Sequence, residues 1–274
     1  MNTHIFSIVT FIYLAGMVVY IGYLAFRSKW VSRVASLILL GGWLLQSFAI
    51  ALRWYESYQM GIGHAPMSNL YESLVFFSWT IILIYLIIEY KYHLSILGAF
   101  VTPFAAMGMA YASISPQVNE KIQPLVPALQ SNWLISHVVT CFLGYAAFAV
   151  SCGVSITYIL KKKQEEKGKK TGLLASFPSS DVLDDLIYKT IAVGFPLLSI
   201  GIITGAAWAN YAWGTYWSWD PKETWSLITW FIYAAFLQRG VKAAMLSIFG
   251  FVAVLFTYLG VNLLLSGLHS YGAG

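Results

Sequence analysis

Residues 133–160 read WLISHVVTCFLGYAAFAVSCGVSITYIL and contain no Asp, Glu, Lys or Arg. An α-helix needs about 20 apolar residues to cross the hydrocarbon core of a bilayer, so this stretch predicts a membrane-spanning helix. Other stretches of the chain have the same character. The eight predicted spans are 5–26, 34–52, 69–90, 94–112, 133–160, 187–207, 224–238 and 243–265.

The composition of the whole chain agrees with this prediction. Hydrophobic residues make up 59% of the 274 residues, charged residues only 10%, and the mean hydropathy is +0.70. A soluble domain carries roughly a quarter of its residues as charges. The basic residues lie in short connections rather than along one face, which argues against a nucleic-acid partner. We therefore predict an all-α polytopic membrane protein, embedded in the lipid bilayer as a single integral membrane domain over residues 1–274.

The basic residues are shared unequally between the two sets of connections. Thirteen of the 16 Lys and Arg residues lie in one set, and Arg53, Lys121 and Lys222 lie in the other. Connections rich in Lys and Arg stay on the cytoplasmic side of a membrane. This asymmetry predicts that both termini, together with the connections 53–68, 113–132 and 208–223, lie on the non-cytoplasmic side.

The two cysteines, Cys141 and Cys152, lie in the same apolar stretch, eleven residues apart. In a helix that separation is about three turns, so the thiols share a face but lie too far apart to form a disulfide. The sequence has no CxxC motif, so we do not expect thiol redox chemistry from this chain.

The connection at 208–223 begins a stretch with an unusual excess of aromatic residues. Residues 208–225 read WANYAWGTYWSWDPKETW, in which seven of 18 residues are aromatic. Trp and Tyr also form belts at membrane surfaces, but belt residues are scattered over many helix ends. Flat rings concentrated beside a glycine can instead form a stacking platform for a flat apolar ligand such as a porphyrin or a quinone head group. The candidate platform residues are Trp208, Trp213, Gly214, Trp217 and Trp219.

The end of this stretch has the pattern of a helix N-terminus. Asp220 is suited to the N-cap, Pro221 to the first helical position and Glu223 to the third, which is the arrangement of a capping box. Asp220 and Glu223 are therefore predicted to fix the exit of the loop rather than to act as acid and base. Free N–H groups at this terminus, with Lys222 adjacent, could favour an anionic group such as a carboxylate.

Histidines are the candidate ligands for a metal within such a platform. The topology places His137 and His269 near the same outer face, on separate helices, with the Trp-rich stretch between them in the sequence. Two such imidazoles could ligate one haem iron, although each could also be a hydrogen-bonded interfacial residue. The other histidines, His4, His64 and His93, have no assigned role. His64 could help to shape the cavity, but is rather expected to be a solvated loop residue. Glu72 is either a functional group within the membrane or an acceptor for neighbouring backbone.

Several longer motifs resemble one known family. WGTYWSWDPKETW resembles the tryptophan-rich WWD signature of the haem-handling superfamily, and its DPKETW ending is similar to that of CcsA/ResC-type cytochrome c assembly proteins of system II. The resemblance extends over most of the chain from about residue 60. The further matching stretches are PMSNLYESLVFF at 66–77, HVVTCFLGYAAF at 137–148, GAAWAN at 205–210 and VNLLLSGLHSYG at 261–272.

This resemblance implies haem handling during c-type cytochrome biogenesis. It implies that His137 and His269 are axial ligands of a haem b held at the outer face as a substrate. It also implies a ResB/CcsB-type membrane partner, with which the chain would attach haem to the CxxCH thiols of apocytochrome c as part of a synthetase. The membrane would be the bacterial inner membrane or, in an organelle, the thylakoid membrane.

The sequence leaves two alternatives and departs from the family at one position. The chain could be a haem exporter or chaperone without lyase activity of its own, or a quinol-oxidising b-type cytochrome. The second alternative requires stacked histidine pairs within spans, which this chain lacks. The family commonly has a histidine in a YAxxLH context, whereas YAAFLQ places Gln238 there. This difference leaves a haem site within the membrane open.

Overall fold

The computed structural model describes residues 2–168, 172–235 and 238–265, and within these ranges the regular structure is helical, with no β-strand. Shorter helical turns cover Ser95–Leu97, Pro127–Leu129 and Leu173–Ser176, and a π-helix covers Phe256–Gly260. The α-helices are α1 Asn2–Phe26, α2 Lys29–Gln59, α3 Leu70–Tyr92, α4 Gly98–Ile114, α5 Asn132–Glu166, α6 Ser180–Trp213, α7 Pro221–Ala234, α8 Val241–Leu255 and α9 Val261–Leu264.

Seven helical segments of the described chain are long and apolar enough to cross a membrane. They are α1, α2, α3, α5, α6, the segment Ser95–Ile114 that includes α4, and the segment Val241–Gly260 formed by α8 and the π-helix. Many of their large apolar side chains are exposed, such as Phe11, Ile203 and Phe249. Exposed apolar surface on this scale is expected where lipid replaces water. The prediction of an all-α polytopic membrane protein is therefore confirmed.

The predicted span at 224–238 differs from the structure. Helix α7 ends at Ala234 and has 14 residues, which correspond to a length of about 21 Å. The hydrocarbon core of a bilayer is about 30 Å thick, so α7 is shorter than a typical spanning helix, and its role as the eighth span stays a prediction.

The chain divides into two compact units. Unit 1 contains residues 1–123 and 156–183, and unit 2 contains residues 124–155 and 184–274. The prediction of a single integral membrane domain stays a prediction.

Buried polar side chains connect the helices of unit 1. The Tyr13 hydroxyl of α1 donates to Oε1 of Gln46 on α2, and Gln46 Nε2 donates to the Val75 carbonyl of α3 at 2.9 Å. The Tyr20 hydroxyl of α1 donates to Glu89 Oε2 of α3 at 2.8 Å. Without water in the bilayer core, buried polar groups must bond to each other. These bonds therefore fix how α1, α2 and α3 pack.

The connection predicted at 53–68 begins later in the structure, and Arg53 forms a buried ion pair instead of lying in a loop. Helix α2 continues to Gln59, so Arg53 is a helical residue, and its side chain is only 2% exposed. Its Nε lies 2.9 Å from Oε1 of Glu72 on α3, and its Nη1 donates to Asn2 Oδ1 at 3.1 Å. Glu72 also accepts from the backbone and hydroxyl of Ser68. Glu72 therefore has both a backbone donor and an arginine partner, and the arginine was not predicted.

Close helix approach characterises unit 2. The Phe148 ring of α5 stacks on Tyr233 of α7 with 3.5 Å between ring centroids, and Ser151 bonds to Ser247 of α8 at 2.8 Å. The two cysteines of α5, Cys141 and Cys152, are free thiols, as predicted. Unit 2 contains all of the described candidate residues of the aromatic platform.

Candidate functional site

The Trp-rich loop is shorter than predicted. Helix α6 continues through Trp208 to Trp213, because the stretch WANYAW contains neither Gly nor Pro to end it. Gly214 ends the helix with φ of +77°, and its N–H donates to the Asn210 carbonyl at 2.9 Å. Glycine adopts this left-handed conformation without steric cost. The loop predicted at 208–223 is therefore confined to residues 214–220.

The predicted capping box at α7 is confirmed. The Asp220 side chain accepts from the Lys222 N–H at 2.8 Å and from the N–H of Glu223. In return, Glu223 Oε2 accepts from the N–H of Asp220 at 3.2 Å and from that of Ser218 at 2.7 Å. The Thr224 N–H donates to the Asp220 carbonyl, and Pro221 has no N–H. The N–H groups of the first turn thus donate to Asp220. The prediction that they are free to bind an anion is therefore wrong.

His137 of α5 has a defined orientation. Its Nδ1 lies 2.7 Å from the Gly201 carbonyl oxygen of α6. A carbonyl oxygen only accepts hydrogen bonds, so Nδ1 must carry the proton. In the neutral imidazole the other ring nitrogen, Nε2, then holds the lone pair. Proteins usually orient a metal-ligating histidine in this way: the ring nitrogen that does not bind the metal donates a hydrogen bond to a carbonyl or carboxylate oxygen.

The space for the His137 ring comes from a glycine of α6. A Cβ atom at Gly205 would lie 2.6 Å from His137 Nδ1 and 2.8 Å from its Cε1. On another side the ring stacks against Trp208, with 6.0 Å between centroids and 21° between planes. Trp208 is itself buried and donates from Nε1 to the Ala128 carbonyl at 2.7 Å. The Gly201 carbonyl, the Trp208 ring and the close approach of α6 at Gly205 together hold the imidazole in place.

A cavity that is open to solvent lies beside His137. Ligand sites in proteins commonly combine apolar walls with a few polar groups. This cavity has aromatic and aliphatic walls, one imidazole, one thiol, one lysine and one carboxylate. Its lining residues are His137, Cys141, Tyr145, Leu198, Ile202, Gly205, Ala206, Tyr216, Trp217, Lys222, Glu223, Ser226 and Thr257.

The predicted platform residues occupy three different environments. Trp217 lines the cavity. Trp208 stacks against His137, and Trp213 packs edge to face on Trp208 with 4.9 Å between ring centroids. Trp219 is 68% exposed and has φ of +59°, an uncommon conformation for a residue with a bulky side chain. The structure therefore places Trp217, and not Trp213 or Trp219, on the cavity wall.

The remaining histidines are distributed over the chain. His269, the predicted second axial ligand, lies outside the described residues. His64 is buried in unit 1, where its Nδ1 lies 2.9 Å from the Ala65 carbonyl and its Nε2 lies 2.9 Å from the Gln123 carbonyl, so the prediction of a solvated residue is wrong. His93 follows α3 in a left-handed conformation, and His4 is exposed on α1. Gln238 is exposed and lies in no helix.

Lys222 is the cationic residue of the cavity wall. It is the second residue of α7, and its side chain is half-buried. The partial loss of water lowers the pKa of its ammonium group to about 8, an effect that the neighbouring Asp220 carboxylate opposes. Most Lys222 side chains are therefore positively charged at neutral pH.

Sequence reasoning missed two glycines of α6 that position His137, Gly201 and Gly205. Gly201 supplies the carbonyl that orients His137, and a Cβ at this position would collide with the Cys141 thiol. Together with Gly205 it forms a small-xxx-small pattern, GIITG, which is typical of close helix packing in membranes. That pattern could have indicated a close contact along α6, but the sequence contains no signal for the contacting residue on α5.

Comparisons with known proteins agree on one family. The model of the Cytochrome C assembly protein family matches residues 67–269. Cytochrome c biogenesis protein CcsA of Guillardia theta is 44% identical over 81% of this chain and 80% of its own length, and CcsA of Mesostigma viride is 41% identical over 84% and 85%. The solved structure of Cytochrome c Heme Lyase CcmF has a TM-score of 0.66 at 15% identity. It matches 94% of this chain, which spans only 45% of the CcmF chain, and this likeness shows the fold alone.

Proposed function

Because the chain belongs to the Cytochrome C assembly protein family, we propose that its cavity beside His137 holds haem for attachment to apocytochrome c. A role in c-type cytochrome biogenesis and haem handling follows from its relatives. One observation supports the specific site: the Gly201 carbonyl orients His137, which lies beside a cavity with the aromatic and aliphatic lining that suits a flat apolar ligand.

Haem b would enter this site as a substrate, with its iron bound to His137 Nε2. Trp217 would pack against the porphyrin, while Trp208 and the Gly201 carbonyl keep the imidazole from rotating. We propose His269 as the second axial ligand. Two imidazole ligands would hold the iron and leave the vinyl groups accessible to thiols. In the attachment step, each thiol S–H adds across a vinyl C=C bond and forms one C–S and one C–H bond.

The location and the partner are part of the same proposal. The excess of Lys and Arg in one set of connections supports a non-cytoplasmic position for residues 214–220 and for both termini. The membrane would be the bacterial inner membrane, or the thylakoid membrane, which the algal origin of the relatives favours. A ResB/CcsB-type membrane partner would complete the synthetase, and apocytochrome c would be the acceptor.

Co-expression tests this function. The chain would be produced, with and without a ResB/CcsB-type partner, in a host that lacks cytochrome c assembly proteins but makes an apocytochrome with one CxxCH motif. We expect covalently bound haem in the apocytochrome only when both proteins are present. The measurement is haem staining after denaturing electrophoresis. Purified chain from the host without partner should retain non-covalent haem with the spectrum of bis-imidazole ligation.

The outcomes separate the two candidate functions. If the chain alone carries haem but no condition yields covalent attachment, the chain is a haem chaperone without a part in the lyase reaction. If the purified chain carries no haem in either host and the apocytochrome stays unmodified, the proposal is wrong. A host that produces only the partner serves as the control.

A Gly205→Ala substitution tests the position of the imidazole. The added methyl group would overlap the His137 ring, which the Gly201 carbonyl and Trp208 hold in place. Overpacking of this kind costs about 1–3 kcal/mol, so we expect haem to bind about 5- to 150-fold more weakly. Haem titration followed by absorption measures the change. Gly41→Ala is the matched control, because a Cβ there meets no atom within 4 Å; equal affinity of the two variants would contradict the prediction.

A further inference from the structure

His64 is a buried side chain in the connection between α2 and α3, and it plays no part in the proposed haem site. Its Nδ1 lies 2.9 Å from the Ala65 carbonyl oxygen, and its Nε2 lies 2.9 Å from the carbonyl oxygen of Gln123, which follows α4. We infer that His64 is a pH-sensitive clasp within unit 1. As an imidazolium it joins its own connection to Gln123, and on losing a proton it releases one of the two contacts.

The two carbonyl contacts identify the charge state of the ring. A carbonyl oxygen only accepts hydrogen bonds, and a neutral imidazole has a single N–H. In a neutral ring, one of the contacts would therefore bring a nitrogen lone pair to 2.9 Å from an oxygen lone pair, where the two repel each other. The imidazolium has an N–H on each nitrogen and satisfies both carbonyls. The observed geometry thus fits the protonated ring and neither neutral tautomer.

The surroundings of His64 leave the ring little freedom to turn away. The Ser57 hydroxyl of α2 accepts from the His64 N–H at 3.3 Å and lies 3.0 Å from the His64 carbonyl oxygen. The residue is only 7% exposed. Because the ring cannot reach water without opening this packing, loss of the proton has to be met by movement of the segment at Ala65 or at Gln123. The second contact joins residues 59 positions apart, so its loss would separate two connections.

The charge of the ring is compensated by carbonyl groups rather than by a carboxylate. Within the described ranges, neither ring nitrogen of His64 has a carboxylate oxygen within 4 Å. Arg53 and Glu72 pair with each other, and the Glu56 carboxylate accepts from Asn2. The charged and titratable groups on the elements around His64 are His4 of α1, Arg53, Tyr55, Glu56 and Tyr58 of α2, Tyr71 and Glu72 of α3, and Glu120 and Lys121 after α4. A buried charge needs hydrogen-bonding partners, and the two carbonyl oxygens provide them.

The sign of the pH dependence follows from these contacts. The folded chain holds the protonated ring in two hydrogen bonds that the unfolded chain lacks, so protonation of His64 favours the folded state. The stabilisation is complete in acid and is lost as the pH rises. Histidine is the side chain that ordinarily changes its charge between about pH 5 and 8, so the experiments compare conditions on either side of that range.

Nitrogen NMR reads the charge of the ring directly. The full-length chain is produced with ¹⁵N-labelled histidine and purified in detergent without haem, and the His64→Gln variant identifies the signal by its loss. An imidazolium shows two protonated ring nitrogens, whereas a neutral ring shows one protonated and one bare nitrogen with well separated shifts. We expect His64 to be doubly protonated at about pH 5.5 and neutral at about pH 9.

Thermal unfolding measures the consequence for stability. We expect the Tm of the wild type to exceed that of His64→Gln by about 3–10 °C at about pH 5.5, because a hydrogen bond to a charged group is lost, and by much less at about pH 9. The matched control is His4→Gln, which replaces an exposed histidine of α1. This variant should follow the wild type at both pH values.

Two results would overturn the inference. One is a neutral His64 ring in the folded wild type at about pH 5.5. The other is a Tm difference between wild type and His64→Gln that stays the same at both pH values. If His64→Gln does not fold, replacing each of the other four histidines in turn assigns the His64 signal by elimination, and the NMR measurement decides.

Discussion

Replacing His137 with glycine is expected to abolish stable haem binding and cytochrome c maturation. The substitution removes the imidazole that lines the proposed haem site, while Trp208 keeps its hydrogen bond to the Ala128 carbonyl. The space left by the ring is open to a small molecule, so about millimolar imidazole should restore the haem spectrum. Absorption of the purified protein, with and without imidazole, measures both effects.

The control for this experiment is His4→Ala, since His4 is exposed on α1 of the other unit. It should bind haem as wild type does. A His137→Gly variant that matures cytochrome c at the normal rate without imidazole would show that His137 is not an iron ligand. Loss of haem without imidazole rescue, in a variant that keeps its thermal stability, would contradict the prediction that the ring acts through its nitrogen.

Replacing Arg53 with methionine is expected to destabilise the protein strongly. Arg53 and Glu72 are both almost fully buried, and their side chains are joined at 2.9 Å. Removing one member of such a pair leaves a charge without compensation and typically costs about 3–5 kcal/mol. For a chain of this size, that loss corresponds to a decrease in Tm of at least about 6 °C. Thermal unfolding of the purified protein in detergent measures it.

The double variant Arg53→Met with Glu72→Gln separates pairing from packing. Without the unpaired charge it should be more stable than Arg53→Met alone. Arg33→Met, at an exposed position of the same helix, should leave Tm within about 1 °C of wild type. If the double variant is no more stable than Arg53→Met, the ion pair does not explain the loss.

The helices could be predicted from sequence because each depends on a local property. The apolar run at 133–160 lies within α5, and the capping box at Asp220 and Glu223 needs only residues within one turn. The sequence places the end of the sixth predicted span at residue 207, where the Trp-rich stretch begins. In the structure that stretch continues α6 as far as Trp213. Only Gly214, with its positive φ, ends it.

The site was less predictable because its parts come from distant segments. The sequence indicated His137 and the Trp-rich stretch, but not that the carbonyl of Gly201, 64 residues later, selects the tautomer of His137. It also gave no reason to pair Arg53 with Glu72 or to bury His64, since both contacts depend on how separate helices pack. Composition predicts which residues a site contains, whereas tertiary packing decides which of them meet.

The π-helix at Phe256–Gly260 changes the rotation of the helix between α8 and α9. A π-turn holds one residue more than an α-turn, and one residue corresponds to about 100° of rotation about the helix axis. The backbone of α9 is therefore rotated by about 100° relative to an uninterrupted continuation of α8. Thr257, within the wide turn, lines the cavity and donates to the Trp225 carbonyl of α7 at 3.2 Å. The extra residue thus works as a phase shift between α8 and α9, and it places Thr257 where its hydroxyl can reach α7.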